Sequence, residues 1–275
     1  MKTQILLSSV ITFPRTREIF QLAWALNNSG RIIHGLEFLP YRWTRPETID
    51  RLTQEYDVPV RGIHWPFWWR SKSLFKVLQS EYLGREKAFA LVWAGVFGTG
   101  HSRYCTAARL KRHFPGAYHI IHPDTFHQMP SSAFLQDIQS RVTFLEPERP
   151  KRGEAADTYD PYLIQKQLIP ALAASGLNVK MMFDPGHIRQ AQEMGMLAKE
   201  PIAGMFANLK PAGLHLSMSG EGRLHDLPNS QEWGELVQAI RANPPEVIVI
   251  ELKPQPNPYT KVIKAREMIR RDLGI

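Results

Sequence analysis

The chain has 275 residues, of which 43% are hydrophobic and 22% charged, as is typical of a soluble globular protein. Its single cysteine, Cys105, excludes an internal disulfide and a zinc knuckle built on cysteines. This cysteine usage fits a reducing compartment, so we expect a cytoplasmic protein. No apolar stretch reaches the roughly 18 residues that a membrane span needs, so no membrane partner is expected.

The formal net charge of +8 indicates a positive mean field, which would attract phosphates, nucleic acid or acidic surfaces. An alternative is that many of these lysines and arginines are solvated faces of helices. The segment 261–273 shows this pattern, with basic residues around an apolar stripe. Both interpretations stay open.

Eight short apolar runs of strand length alternate with longer amphipathic segments. They lie at residues 4–10, 32–38, 58–64, 117–122, 142–146, 179–184, 213–217 and 247–251. They are rich in valine, isoleucine and leucine without strict alternation, which is typical of parallel strands covered on both faces. Between them, Thr44 and Glu47 predict a capping box, and a helix over about 160–175 is predicted to end at Gly176.

Eight strand and helix units in a chain of this length predict an α/β protein with one (β/α)8 TIM barrel over residues 1–275. No linker, composition shift or internal repeat divides the chain, so two domains are a poorly motivated alternative. In such a barrel the residue at the C-terminal end of each strand faces the catalytic mouth. The strand ends should therefore be considered together.

Seven of the eight runs end on a carboxylate or an imidazole, and two more histidines follow just beyond. These residues are Glu37, His64, His122, Glu146, Asp184, His215 and Glu251, joined by His187 and His225. One carboxylate after a strand is commonly a helix cap, but seven such ends are not explained in this way. Crowded carboxylates and imidazoles need a cation to neutralise them, so we predict a divalent metal site. The donor set suits zinc best, then manganese, cobalt and magnesium.

The series GLEF, GIHWP, IIHPD, FLEPE, MMFDPGH, GLHLS and VIVIE resembles the xylose isomerase-like barrels, over nearly the whole chain. That group includes sugar isomerases and epimerases as well as apurinic endonucleases of the endonuclease IV type. The resemblance implies one metal site of four ligands, namely Glu146, Asp184, His215 and Glu251.

The endonuclease branch implies two further metals, so the expected number of ions is one to three. The second would be held by His64 and His122 and bridged by Glu146. The third would use His187 and an Asp-x-His motif, for which this chain has GRLHD. His225 matches the histidine of that motif and Arg223 stands at the aspartate position, unless the register slips and Asp226 takes that place.

The resemblance implies two kinds of reaction, and we favour the first. A sugar or sugar-phosphate isomerase or epimerase would use Glu146 and Glu251 to exchange a substrate proton as base and acid. His187 would hold a substrate oxygen, and Arg223 or Lys253 would neutralise a phosphate or carboxylate on the substrate. This interpretation needs only the four best-matched ligands.

The alternative is a metal-dependent phosphodiester hydrolase acting on abasic DNA, which explains the extra histidines and the basic charge but lacks one expected carboxylate. A barrel that binds without catalysis is a third possibility. It is disfavoured because buried carboxylates without a purpose would cost stability.

An aromatic run follows the third predicted strand and bears on both reactions. Trp65 and Trp68 are expected at the rim, where their indoles would stack on a sugar or on exposed bases, and Glu37 is expected to contact substrate as well. The alternative for the run is a hydrophobic plug or an oligomer contact. His34 and His119 lie inside their runs and are predicted to be core residues.

Overall fold

The computed structural model describes residues 2–12, 15–40, 44–65, 100–127, 132–139, 141–150, 155–220, 223–254 and 257–275. Ten strands lie in this part of the chain. They are β1 (Gln4–Ser8), β2 (Gly35–Phe38), β3 (Val60–His64), β4 (Tyr118–Ile121), β5 (Thr143–Leu145), β6 (Val179–Phe183), β7 (Gly213–Leu216), β8 (Met218–Gly220), β9 (Arg223–Asp226) and β10 (Val247–Ile250).

A closed parallel barrel is formed by eight of these strands in the order β1-β10-β7-β6-β5-β4-β3-β2. All eight correspond to the predicted runs, so the predicted (β/α)8 fold is confirmed. The barrel closes where β1 pairs with β10, in a register that sets Gln4 beside Val247 and Leu7 beside Ile250. Strands β8 and β9 form a separate antiparallel pair that was not predicted.

Helices connect the strands and cover the outside of the barrel. In the described ranges they are Thr16–Asn28, Pro46–Tyr56, Gly100–His113, Asp124–His127, Ser132–Gln139, Ala156–Tyr159, Pro161–Leu163, Ile169–Ala174, Pro185–Glu193, Ile202–Leu209, Ser230–Ala242 and Tyr259–Leu273. A 3-10 turn covers Ser9–Thr12, and a π-helical turn at Ile164–Leu168 joins the seventh and eighth helices of that series. Among these described helices, none is both long and apolar enough to cross a membrane.

The predicted helix boundaries are partly wrong. The helix after β2 begins at Pro46 with Arg45 as its N-cap residue, so Thr44 and Glu47 do not form the predicted capping box. Proline at the first helical position starts this helix instead, because its fixed φ suits the first turn. A capping box does form at Asn229 and Glu232, whose side chains and backbone amides exchange hydrogen bonds of 2.9 and 2.7 Å. The helix that was predicted to end at Gly176 does so, with that glycine at φ +84°.

Two layers of buried apolar residues result from the alternation of side chains along the strands. The larger layer fills the space between the barrel and its helices. The smaller one lies inside the barrel and consists of Leu6, Ile120, Phe144, Met182, Val247 and Val249. Because its members come from five different strands and contact one another, this inner cluster forms the floor on which the mouth is built.

Candidate metal centre

The predicted ligands point into the barrel because strand side chains alternate with a period of two. Four of them follow a residue of the inner cluster by two positions, namely His122 after Ile120, Glu146 after Phe144, Asp184 after Met182 and Glu251 after Val249. His64 and His215 likewise follow Gly62 and Gly213. The fold therefore directs the chemistry-bearing side chains to one place above the inner cluster.

Two glycines in the barrel strands leave space that neighbouring side chains fill. A Cβ on Gly213 would lie 2.6 Å from Met182 Sδ and 3.2 Å from Phe144. A Cβ on Gly62 would lie 2.5 to 2.8 Å from the Tyr118 ring and hydroxyl. Both glycines therefore permit packing of the floor below His64 and His215.

The four residues implied as one metal site lie together and are buried. Ligand atoms of Glu146, Asp184, His215 and Glu251 are all within 4.8 Å of one another. His215 is central to this four-ligand group: its Nδ1 is 2.8 Å from Glu251 Oε2 and 3.0 Å from Glu146 Oε1. Asp184 Oδ2 is 3.8 Å from the same nitrogen.

A second group consists of His64, His122 and Glu146, and we call it the two-histidine group. The two Nε2 atoms face each other at 2.9 Å, and the rings stack with centroids 5.1 Å apart. Glu146 Oε2 is 3.3 Å from His64 Nε2 and 3.6 Å from His122 Nε2. Glu146 thus presents one oxygen to this group and the other to the four-ligand group.

A third group consists of Asp184, His187 and His225, and we call it the hairpin group because His225 lies on β9. Asp184 caps the helix Pro185–Glu193 by accepting a hydrogen bond of 3.0 Å from the His187 amide. His187 Nδ1 donates to the Pro147 carbonyl at 2.8 Å, so its Nε2 is the nitrogen left to bind a ligand. The His187 and His225 rings meet edge to face at 5.5 Å.

Asp226 does not take the place of the missing carboxylate. Both of its oxygens lie 2.8 Å from Lys261 Nζ, outside the hairpin group, while His225 turns inward with φ +42°. The alternative register that would use Asp226 is therefore wrong. Arg223 is paired with Gly220 in the hairpin, but its side chain lies outside what the structure describes.

Three residues predicted to bind substrate can be located. Trp65 is not at the rim: it is buried against Phe134, and its indole N–H donates to His119 Nδ1 at 3.0 Å, because the side chain points into the packed layer. Glu37 is fully buried, as the ligands are, and its carboxylate contacts His64 and His215, so its contact with substrate stays a prediction. Lys253 is exposed, and its backbone N–H donates to the His225 carbonyl. Trp68 lies outside the described residues.

His119 and His34 lie outside the three ligand groups, as predicted. His119 is fully buried, and burial lowers its pKa to about 3, so it stays neutral while it accepts from the indole. His34 is half-buried and accepts a hydrogen bond of 3.0 Å from the Ile5 amide. Both residues therefore serve packing rather than the centre.

Electrostatics favour the ionised form of three buried carboxylates, Glu37, Asp184 and Glu251. Burial alone would raise the pKa of Glu37, but His215 and His64 outweigh it and bring that pKa to about 2. Burial would likewise raise the pKa of Asp184 and of Glu251, but nearby histidines outweigh burial and lower both pKa values. Conversely, burial would lower the pKa of His64 and His215, yet the neighbouring carboxylates raise both. The crowded carboxylates are thus stabilised by positive charge, which protonated histidines supply when no metal ion does.

These donors fit a divalent metal. The three groups offer only imidazole nitrogens and carboxylate oxygens, and the two facing Nε2 atoms cannot both carry a proton at 2.9 Å. A borderline ion such as Zn²⁺ or Mn²⁺ prefers this mixture. When bound, such an ion would replace the protons on the imidazoles, so its affinity would rise with pH.

Two contributors to the centre were missed at the level of sequence. Ser217 donates to Asp184 Oδ1 at 3.2 Å, and the Tyr118 hydroxyl donates to Glu37 Oε2 at 3.1 Å. Both obey the same period of two, since Ser217 follows His215 and Tyr118 precedes Ile120 by two positions. Extending the alternation by one step along each strand would have found them.

No protein-family model matches this chain, and no curated protein matches it. Several solved structures match this chain. A D-tagatose 3-epimerase-like protein has a TM-score of 0.60 at 14% identity, over 99% of both chains. An AP endonuclease of family 2 from Brucella melitensis has 0.56 at 12%, over 95% of this chain and 97% of its own. A 3-keto-D-glucoside 4-epimerase from E. coli has 0.53 at 13%, over 100% of both.

Such low identities show the fold alone. The chain therefore shares the (β/α)8 barrel fold of these three proteins.

Proposed function

We propose that the protein is a divalent-metal-dependent hydrolase of phosphoesters, for which a duplex with an abasic site is the first substrate to test. The observation that carries this proposal is the sharing of Glu146 between the four-ligand group and the two-histidine group. A carboxylate that offers one oxygen to each of two neighbouring groups is suited to bridge two cations. The AP endonuclease with a similar barrel is consistent with this choice.

Two metals, when bound, would stabilise both the attacking and the leaving oxygen of a phosphoester and would supply a hydroxide nucleophile at neutral pH. The residues of this chain hold the arrangement. Glu146 fixes the two groups at one separation, and Asp184 joins the four-ligand group to the hairpin group. His187 keeps its Nε2 available because its Nδ1–H donates to the Pro147 carbonyl. Zn²⁺ or Mn²⁺ is the expected ion.

A sugar isomerase or epimerase is the second candidate, and a different observation favours it. Glu146 and Glu251 both reach His215 Nδ1, at 3.0 and 2.8 Å, so they flank the four-ligand group. Two carboxylates in this relation suit removal and return of a carbon-bound proton. In this reaction His187 would hold a substrate oxygen, and Arg223 or Lys253 would face a charged group of the substrate.

Metal stoichiometry separates these candidates. Metal-free protein would be titrated with Zn²⁺ and with Mn²⁺, and the bound equivalents counted. Two or three equivalents are the expected result for the hydrolase, whereas a single equivalent would favour the isomerase. If no metal binds, both candidates are wrong, and a barrel that binds a ligand without catalysis remains.

Activity assays complete the test. The metal-loaded protein is expected to nick a duplex that carries an abasic site and to leave the intact duplex uncut. If it does not nick the duplex, the exchange of carbon-bound protons of sugars and sugar phosphates with D₂O should be measured. Exchange that is lost in Glu251→Gln would establish the isomerase, since this glutamate is its expected base or acid.

A further inference from the structure

Glu37 lies beneath two of the three ligand groups. It ends the β2 run and is fully buried. Its Oε1 is 3.3 Å from His64 Nδ1, and its Oε2 is 3.2 Å from His215 Nε2. One carboxylate therefore contacts a histidine of the two-histidine group and the histidine of the four-ligand group at the same time.

Tyr118 holds this carboxylate from the floor. Its hydroxyl donates to Glu37 Oε2 at 3.1 Å, and its ring packs edge to face on Phe144. The ring has room to cross the barrel because the neighbouring residue in the register is Gly62. The orientation of Glu37 is thus determined by side chains that lie outside the ligand groups.

The two contacts of Glu37 select one nitrogen on each ring. An imidazole that donates from one nitrogen offers the other as a ligand, and the donor contact fixes which is which. For His64 the Glu37 carboxylate lies at an ion-pair distance of 3.3 Å from Nδ1, and Nε2 is the atom that faces Glu146 and His122. For His215 the contact takes Nε2 and leaves Nδ1, the atom that faces Glu146 and Glu251.

We infer that Glu37, oriented by Tyr118, is a positioning residue that presents His64 and His215 as metal ligands together and thereby couples two of the groups. This inference rests on the proposed metal centre. It gives Glu37 a role in metal affinity in place of the substrate contact expected from its sequence position. The hairpin group has no contact with Glu37 in the interactions described above, so it serves as an internal reference.

The test is metal binding by Glu37→Gln. Glutamine has one acceptor oxygen and one donor NH₂, so it cannot accept from both imidazoles. Metal-free full-length protein would be titrated with Co²⁺ by absorbance and with Zn²⁺ against a competing chelator. We expect two classes of site to weaken by about 10- to 100-fold while one class, assigned with His225→Ala, keeps its wild-type affinity.

A parallel loss in all three classes would assign Glu37 a general structural role and overturn the inference, as would unchanged affinities. Glu235→Gln, an exposed change of the same type on the helix Ser230–Ala242, is the matched control and should bind as wild type. If the wild-type protein binds no metal, the proposed centre itself is wrong. If wild type and Glu37→Gln bind metal equally well, only the inference about Glu37 is wrong.

Tyr118→Phe keeps the test decisive if Glu37→Gln does not fold. This change removes the hydroxyl that orients Glu37 and leaves the carboxylate in place. We expect a smaller loss of affinity confined to the same two classes of site. Unchanged affinity at both would contradict the inference.

Discussion

Glu146 is the residue with contacts to the most ligands of the centre. Its two oxygens reach His215 on one side and His64 and His122 on the other, with His187 Nδ1 3.6 Å from Oε1. It is also fully buried. A single side-chain change there alters two groups at once.

Glu146→Gln should therefore reduce metal binding more than any change to a residue of one group. We expect about a 100-fold or greater loss of affinity in both the four-ligand and the two-histidine group, with a comparable loss of activity. Metal content and competition titration provide the measurement. Asp226→Asn is the control, since Asp226 binds Lys261 outside the groups. Wild-type stoichiometry in Glu146→Gln would contradict the bridging role.

The direction of a side chain could be predicted where it follows from the alternation along the strand alone. Residues such as His122 and Glu251 follow apolar runs directly, and the alternation of a strand fixes their direction. Trp65 has an equally suggestive position, but whether such a side chain faces the mouth or the packed layer outside the barrel depends on its neighbours in three dimensions. Sequence favoured an isomerase because Arg223 replaces a ligand, whereas the geometry brings His225 into a third group.

At the level of elements, the eight barrel strands were predictable because each is a run of buried apolar residues. The hairpin β8–β9 was not, since its strands have 3 and 4 residues and a polar sequence. The capping box at Thr44 was wrong for a local reason: Pro46 at the first helical position already defines that start. The box at Asn229 follows a loop without such a proline.

Gly62→Ala tests the packing beneath the centre. A Cβ there would lie 2.5 to 2.8 Å from Tyr118, so the ring must move. We expect the free energy of unfolding to fall by about 1–3 kcal/mol, as for other overpacked cores. Urea denaturation of the metal-free protein would measure it.

Gly234→Ala is the matched control for that change. Gly234 lies inside the helix Ser230–Ala242, and a Cβ there meets no atom within 4 Å. Alanine should raise the free energy of unfolding by about 0.5–1 kcal/mol, because it restricts the unfolded chain and favours the helix. Equal effects of the two substitutions would show that the space beneath the centre is not filled as described.

For the whole molecule, the concentration of ionisable groups inside one barrel makes stability depend on pH. The pKa values of His64 and His215 are raised above about 6.5, the unperturbed value for histidine, so these two residues affect stability above that pH. Groups with a raised pKa contribute stability below that pH and lose it as the pH rises through their folded pKa. Below pH 6.5, His34, His119 and His225 act oppositely because their pKa values are lowered.

Metal-free protein should thus be most stable near pH 6.5. Towards acid, the lowered pKa values of the buried carboxylates add to the loss, since these groups must take up protons as the protein unfolds. Bound metal replaces the protons on the imidazoles, so the maximum should move to higher pH in the loaded protein. Urea denaturation between pH 4 and 9, with chelator and with Zn²⁺, would show both curves. A metal-free protein that grows steadily more stable up to pH 9 would contradict this account.

The closure of the barrel by β1 and β10 also bears on how the protein would respond to metal. Glu251 directly follows β10, and β10 pairs with β1, so the four-ligand group stands beside the seam that joins two segments far apart in sequence. Ligands that bind only the native state stabilise it. An ion held by this group would therefore oppose separation of the two strands that close the barrel.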